Sequence, residues 1–308
     1  MFLNDKKHGQ IILSVAGLGL IIKSQAVKEN IISPQSYNNF FQPVDQPQAF
    51  LQNNKNKTNV YNEKIYLKIL VTKEPIPVYP QHLETKLIFQ SKNWGIKFDQ
   101  HGTFILEALR LPPKRRITIN PDFSIGKMQV EFSDKLVDGF YPLQDMDMKL
   151  FVNWLARFGD IILHASGISI DDKGYAFAGP AGVGKSTLAE LLSKKPGLTV
   201  LGEDQVVLRY LDGRFWIFGT PWHENPAMCS PMGVPLEKMF FLERDLQPGV
   251  VPVKPVEGFT KILQTAFIPF YRQDLLPGIL NCLEQLSKQV PFQSLTYQLG
   301  TDPSSLIF

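Results

Sequence analysis

Gly179-Pro180-Ala181-Gly182-Val183-Gly184-Lys185-Ser186-Thr187 is the stretch on which the reading of this chain turns. It follows the pattern G-x-x-x-x-G-K-S, in which a glycine-rich turn wraps phosphate oxygens. Tyr175-Ala176-Phe177-Ala178, just ahead of it, reads as a buried strand. Behind it, Leu188, Leu191 and Leu192 recur at helical spacing until Pro196-Gly197 interrupts them. Strand, glycine turn and helix in that order are the context the motif requires. Glycines at 179, 182 and 184 open backbone conformations that aim successive N–H groups at an anion. The helix that follows presents its positive dipole end to the same anion. Lys185 then supplies a full charge to the outer phosphates, and the Ser186 hydroxyl a ligand for Mg²⁺. All nine residues, 179 to 187, are therefore candidate nucleotide contacts.

The rest of the composition narrows the class. The chain has 308 residues, 44% hydrophobic and 20% charged, which suits a globular protein of one large or two ordinary domains. A net charge of +3 with one tight basic cluster, Lys114-Arg115-Arg116, does not suggest nucleic-acid binding, and that cluster reads as a solvated loop. Cys229 and Cys282 lack metal-ligand spacing and read as free thiols in a reducing compartment. Ile11 to Ile22 is nearly all apolar, follows Lys6-Lys7-His8 and precedes Ser24-Gln25-Ala26, which resembles a signal peptide. It is too short to span a bilayer as a helix, and its Ile and Val content favours a first strand. A nucleotide-using loop also needs cytoplasmic ATP, so a cytoplasmic protein with no membrane partner is expected.

Taken in order, residues 10–23 read as one bent strand or two short ones. Residues 27–63, rich in Asn, Gln, Ser and Pro, read as a surface excursion. Tyr66–Val71 and five further runs (86–90, 94–98, 103–109, 116–119, 127–132) read as strands, at the short spacing of an antiparallel sheet. No nucleophile, metal cluster or carboxylate pair stands out there, and His82 and His101 read as surface residues. A helix follows with Leu150, Phe151, Trp154, Leu155 and Phe158 on one face, capped by Asp145 or Asp147 and ended by Gly159. It marks the junction between a β-rich region, 1–142, and a nucleotide-binding domain, 143–308. Ile161–Ala165 and Ile168–Ile170 read as a hairpin, and Asp171–Gly174 as a turn into the strand before the loop. Asp212-Gly213 reads as a hairpin turn, residues 238–242 as a strand, 256–267 and 275–288 as helices, and 293–298 as a last strand.

A Mg-nucleotide site also needs carboxylates, and a transferase needs a group for the attacking hydroxyl. Glu203 and Asp204 end an apolar run 18 positions beyond Ser186, which places them on a strand beside the loop. Because strand neighbours face opposite ways, one of the two is expected to touch the metal directly. His164, on its own, reads as a satisfied core histidine.

The whole pattern, His164-Ala165-Ser166, then Gly179 to Thr187, then Gly202-Glu203-Asp204, resembles the catalytic domain of HPr kinase/phosphorylase. That family shares its fold with phosphoenolpyruvate carboxykinase, and the resemblance covers about residues 155–245. It implies an α/β fold: an HPr kinase-like P-loop domain with a mixed sheet, preceded here by the β-rich N-terminal region. In the family a His stands 15 positions ahead of the first loop glycine, as His164 does ahead of Gly179. The resemblance assigns catalysis to His164, Lys185 and Asp204, with Asp204 as the base, and magnesium binding to Ser186 and Glu203. It departs at Pro180, where bifunctional members carry an acid, and at Gly219-Thr220-Pro221-Trp222-His223-Glu224, which replaces an I-R-G-x-G segment. Glu224 then stands in for a second metal-binding glutamate.

The function so implied is an ATP-dependent kinase using ATP and Mg²⁺. It would transfer the γ-phosphoryl group to a hydroxyl, serine above all, of a protein, peptide or small molecule. An ATPase or nucleotide-gated regulator, or a non-catalytic nucleotide-binding interaction protein, are the alternatives. HPr kinases are hexameric; homo-oligomer formation by this chain is left open.

Overall fold

The computed structural model describes residues 10–24, 34–42, 66–76, 85–109, 114–131, 141, 143, 145–223, 225–244, 247–298 and 302–308. The chain is α/β, with two mixed sheets and few helices. It divides into two compact units: Met1–Pro34 with Phe41–Leu150, and Gln35–Phe40 with Phe151–Phe308. Among the described residues no helix is long and apolar enough to cross a membrane.

The first unit is a sheet. β1 (Gln10–Val15) and β2 (Leu18–Ser24) form a hairpin, and its turn residues Ala16 and Gly17 both have positive φ, 52° and 79°. Such a two-residue turn matches the right-handed twist of the strands it joins. Ile11, Ile12, Leu13, Leu20, Ile21 and Ile22 are all buried, so both faces of this hairpin are covered. That double burial explains an unbroken apolar run. Next come β3 (Phe41–Gln42), β4 (Tyr66–Lys73), β5 (Thr85–Gln90), β6 (Gly95–Asp99), β7 (Phe104–Ala108), β8 (Lys114–Ile119) and β9 (Ile125–Glu131). The order across the sheet is β3-β1-β2-β4-β9-β8-β7-β6-β5.

Three expectations are corrected in this unit and at its boundary. The sheet is not purely antiparallel: β4 pairs parallel with both β2 and β9. Neither partner follows β4 through a tight turn, and a parallel neighbour needs a long connection. Lys114-Arg115-Arg116 is not a loop but the start of β8. Arg116 sits opposite Glu107 in register, is 5% exposed, and donates from Nε to Glu107 Oε1 at 2.6 Å. Residues 35–40 were read as surface, yet they form a short 3₁₀ helix with Ser36, Tyr37 and Phe40 buried. The rest of the supposed excursion lies outside the described residues, as does His82.

α1 (Asp147–Ala156) buries Leu150, Phe151, Trp154 and Leu155 completely. Asp147 stands in its first turn and accepts from the Met148 N–H at 2.8 Å. Phe158 is not on the buried face: it falls beyond the helix end and is 41% exposed. Gly159, at φ 76°, turns the chain out of the helix.

The second unit opens with β10 (Ile161–Ile170) and β11 (Lys173–Ala178). β10 is one continuous strand, not two arms of a hairpin; the hairpin turn is Asp171-Asp172, both at positive φ. The remaining elements are α2 (Lys185–Ser193), β12 (Leu198–Gly202), β13 (Gln205–Leu211), β14 (Arg214–Gly219), β15 (Gly233–Glu243), β16 (Gly249–Pro252), α3 (Pro255–Thr265), β17 (Ala266–Phe267), α4 (Leu276–Gln289), β18 (Phe292–Thr296) and α5 (Ser304–Ile307). The sheet runs β11-β10-β13-β14-β15-β18-β16, with β12 and β17 also on β10, and β11 and β15 paired in parallel. Alternation along the strands feeds two cores. Tyr175, Phe177, Phe240 and Leu242 pack with Leu188, Ala189 and Leu192 of α2. Ala176, Ala178, Met239 and Phe241 face the opposite cluster, with Ile262 of α3 and Ile279, Leu283 and Leu286 of α4. The glycine loop therefore leaves a strand buried on both faces, between two helical layers.

Candidate functional site

The glycine loop joins β11 to α2. Gly182 and Gly184 have φ of 74° and 113°, values that carry a steric cost for any residue with a Cβ. Gly184 is the N-cap of α2, and its carbonyl accepts from the Leu188 N–H at 2.8 Å and the Tyr297 hydroxyl at 3.0 Å. Lys185, only 5% exposed, reaches back under the loop. Its Nζ donates to the carbonyls of Gly179 at 3.0 Å and Pro180 at 3.2 Å. Burial lowers the ammonium pKa, and the charge of Asp204 opposes that shift. Ser186 and Thr187 lie exposed on the first turn of α2.

His164 comes from β10, and Asp204 from the bend between β12 and β13. Both β12 and β13 pair with β10, matching Gly202 to Gly167 and Gln205 to His164. Glu203 and Asp204 lie between those two registers, out of the ladder. Hydroxyls hold the two carbonyls that flank Asp204: Ser166 Oγ donates to Glu203 O, and Thr220 Oγ1 to Gln205 O at 2.8 Å. Asp204 Oδ1 then lies 3.0 Å from His164 Nδ1. The hydrogen bond from His164 holds the Asp204 carboxyl below its ordinary value, against the opposing effect of burial.

The acidic pair is thus not on a strand beside the loop strand, as expected from its spacing. β11 has two edges, and β10 and β15 occupy them. Asp204 instead comes from the bend between β12 and β13, both paired with β10, and only its charge acts on the loop lysine.

The structure pairs His164 with Asp204, and the charge of Asp204 acts on Lys185. Glu203 lies close enough to Cys229 to help raise that thiol to about 11, an effect due first to burial. Glu224 lies outside the described residues. Among the described residues no group of three His, Cys, Asp or Glu stands close enough to hold a metal ion. The donors expected for Mg²⁺ near the loop are the Ser186 hydroxyl and carboxylates. These are oxygen ligands of the kind a hard cation takes, with phosphates and water completing its shell.

Two residues escaped the sequence reading, and a third was read there only as part of a loop. Arg244, at the end of β15, donates from Nη2 to Gly182 O at the loop tip. Lys261 of α3 pairs with Glu243 and, at 3.3 Å, with Glu257. His223 packs against the Gly202–Gln205 bend: a Cβ on Gly202 would lie 2.7 Å from its Nε2. Of the three, only His223 had a sequence signal, in the segment 219–224. The loop, His164, the end of β15 and α3 line one open cleft of about 1020 Å³.

No family model matches the chain, and no curated protein matches it. Among solved structures, one similar chain is described as the Hpr(Ser) kinase/phosphatase from Coxiella burnetii. The identity is 16%, the match covers 47% of this chain and 85% of that one, and the TM-score is 0.27. A superposition this loose carries no argument about activity.

Proposed function

We propose that the second unit is an ATP-dependent phosphotransferase acting on a hydroxyl-bearing acceptor. One observation carries the reading: a glycine loop with a buried lysine beneath it shares a cleft with His164, whose imidazole pairs with the Asp204 carboxylate. The loop backbone and the α2 N-terminus suit a polyphosphate, since both present N–H groups to an anion. Lys185, with its ammonium already desolvated, is placed to leave its two loop carbonyls for phosphate oxygens. Asp204 stays ionised, because His164 hydrogen-bonds its charged form, and so accepts or orients the proton of an acceptor hydroxyl. His164 lines the cleft itself, which supports its contacting the transferred phosphoryl. Mg²⁺, when bound with the nucleotide, would shield phosphate charge, with Ser186 and the nearby carboxylates as its protein ligands. The catalysis asked of the chain is positioning and electrostatics.

The test is γ-labelled ATP with and without candidate hydroxyl acceptors, run on the wild-type chain and on Asp204→Asn. Label transferred by the wild type and lost in the variant, with ATP affinity within about threefold, supports the reading. ADP release that is indifferent to acceptor makes the chain a hydrolase instead. Normal transfer by Asp204→Asn removes Asp204 from the role of base.

A further inference from the structure

His223 is a buried titratable group that the proposed chemistry leaves unused. Its ring sits behind the bend that carries Asp204, where it excludes any side chain from Gly202. Its Nε2 lies 3.1 Å from Thr220 Oγ1. Thr220 is fully buried and has one hydroxyl proton, which it gives to Gln205 O at 2.8 Å. Toward His223 that hydroxyl can therefore only accept, so Nε2 must carry the hydrogen. Nδ1 is buried and has no partner among the described residues. A bare lone pair is tolerated there more readily than an unpaired N–H⁺.

We propose that His223, as the neutral Nε2–H tautomer, is a positioning residue that locks Thr220 and, through it, the Gly202–Gln205 bend that aims Asp204 at His164. The Ser166 hydroxyl clamps the carbonyl on one side of Asp204, and the His223–Thr220 pair clamps the carbonyl on the other. Without His223, Thr220 loses the donor that orients it, and the bend keeps one clamp of two. This inference rests on the assignment of Asp204 to the acceptor proton. Its first readout does not.

The experiment uses the full chain labelled with ¹⁵N at histidine. The expected spectrum shows His223 with Nε2 protonated and Nδ1 bare at neutral pH. In His223→Ala and Thr220→Val, the His164 ring resonances shift as its carboxylate partner moves. In His223→Gln, whose amide can still donate to Thr220, they stay in place. In turnover assays, His223→Ala lowers kcat by roughly 10- to 100-fold, the scale of a slightly misplaced catalytic group, with the KM for ATP little changed. His223→Gln restores most of that loss, whereas a merely structural role would leave Ala and Gln alike. An Nδ1–H tautomer, unmoved His164 resonances in His223→Ala, or equal kcat in wild type, Ala and Gln would each overturn the inference. A wild-type chain that releases no ADP under any condition overturns the phosphotransfer reading instead, and leaves the NMR result to decide the clamp.

Discussion

Lowering the pH tests the burial of His223 without reference to catalysis. Burial depresses its pKa from 6.5 to about 4, with the charge of Asp204 and two backbone carbonyls opposing. Above about pH 7.5 the ring is neutral whether the chain is folded or unfolded, and it makes almost no difference to stability. Between the two values the unfolded chain takes up a proton and the folded chain does not. Stability is therefore present above the unfolded pKa and is lost as pH falls toward 4. Integrating that difference gives a loss of about 2 kcal/mol at about pH 5 and about 3 kcal/mol at about pH 4. Other groups titrate across the same range, so the quantity to measure is a difference between variants. His223→Gln keeps a donor for Thr220 but binds no proton. Urea unfolding followed by tryptophan fluorescence suits the purpose, since Trp154, Trp216 and Trp222 belong to the unit that holds His223. Between about pH 7.5 and about pH 5 the wild type should lose about 2 kcal/mol more than His223→Gln. Parallel pH profiles for the two proteins would refute the reasoning: the ring would then titrate as freely in the fold as in water.

Three further outcomes follow from the same geometry. Lys185→Ala should weaken ATP binding at least ~10-fold by calorimetry while leaving the far-ultraviolet circular dichroism unchanged, because it removes the cation that phosphates would meet. Arg209→Met should destabilise the second unit by about 3–5 kcal/mol in urea, since it strips the partner from buried Asp160, now 2.7 Å from Arg209 Nε. Burial already raises Asp160 to about 6, so that loss is largest near neutral pH and shrinks as acid protonates the carboxyl. Gly202→Ala would place a Cβ 2.6 Å from Gln205 O and 2.7 Å from His223 Nε2. It should cost about 1–3 kcal/mol and move the His164 resonances, because the atoms it meets belong to the bend and its clamp.

The elements around the glycine loop were legible in the chain because local rules set them. A short unbroken apolar run wrote β11, helical spacing wrote α2, and glycine at positive φ wrote the turn between them. The hairpin turn at Asp212-Gly213 was legible for the same reason. What went astray needed partners distant in sequence. Ile161–Ile170 looked interrupted because Ser166 and Gly167 break its apolar run. In the fold they are where Gly167 accepts close packing from Val206 and Ile217, and where Ser166 meets Glu203 O. Arg116 looked solvated until β8 set it opposite Glu107. His223 looked like a loop residue because its contacts are to Gly202 and to Thr220, whose hydroxyl is itself committed to Gln205.

By itself, then, the sequence determined that a glycine turn between a strand and a helix carries Lys185 and Ser186, and it nominated His164 and Asp204. These are matters of composition and spacing, which short-range sterics and periodicity translate directly. Only the tertiary structure decided that His164 and Asp204 meet at 3.0 Å, that the pairing of β10 with β13 brings them there, and that two hydroxyls and an imidazole hold the bend that carries Asp204. The reason is physical: hydrogen-bond distances between side chains 40 residues apart are set by strand register, and register is fixed by the burial of whole faces, not by any local pattern.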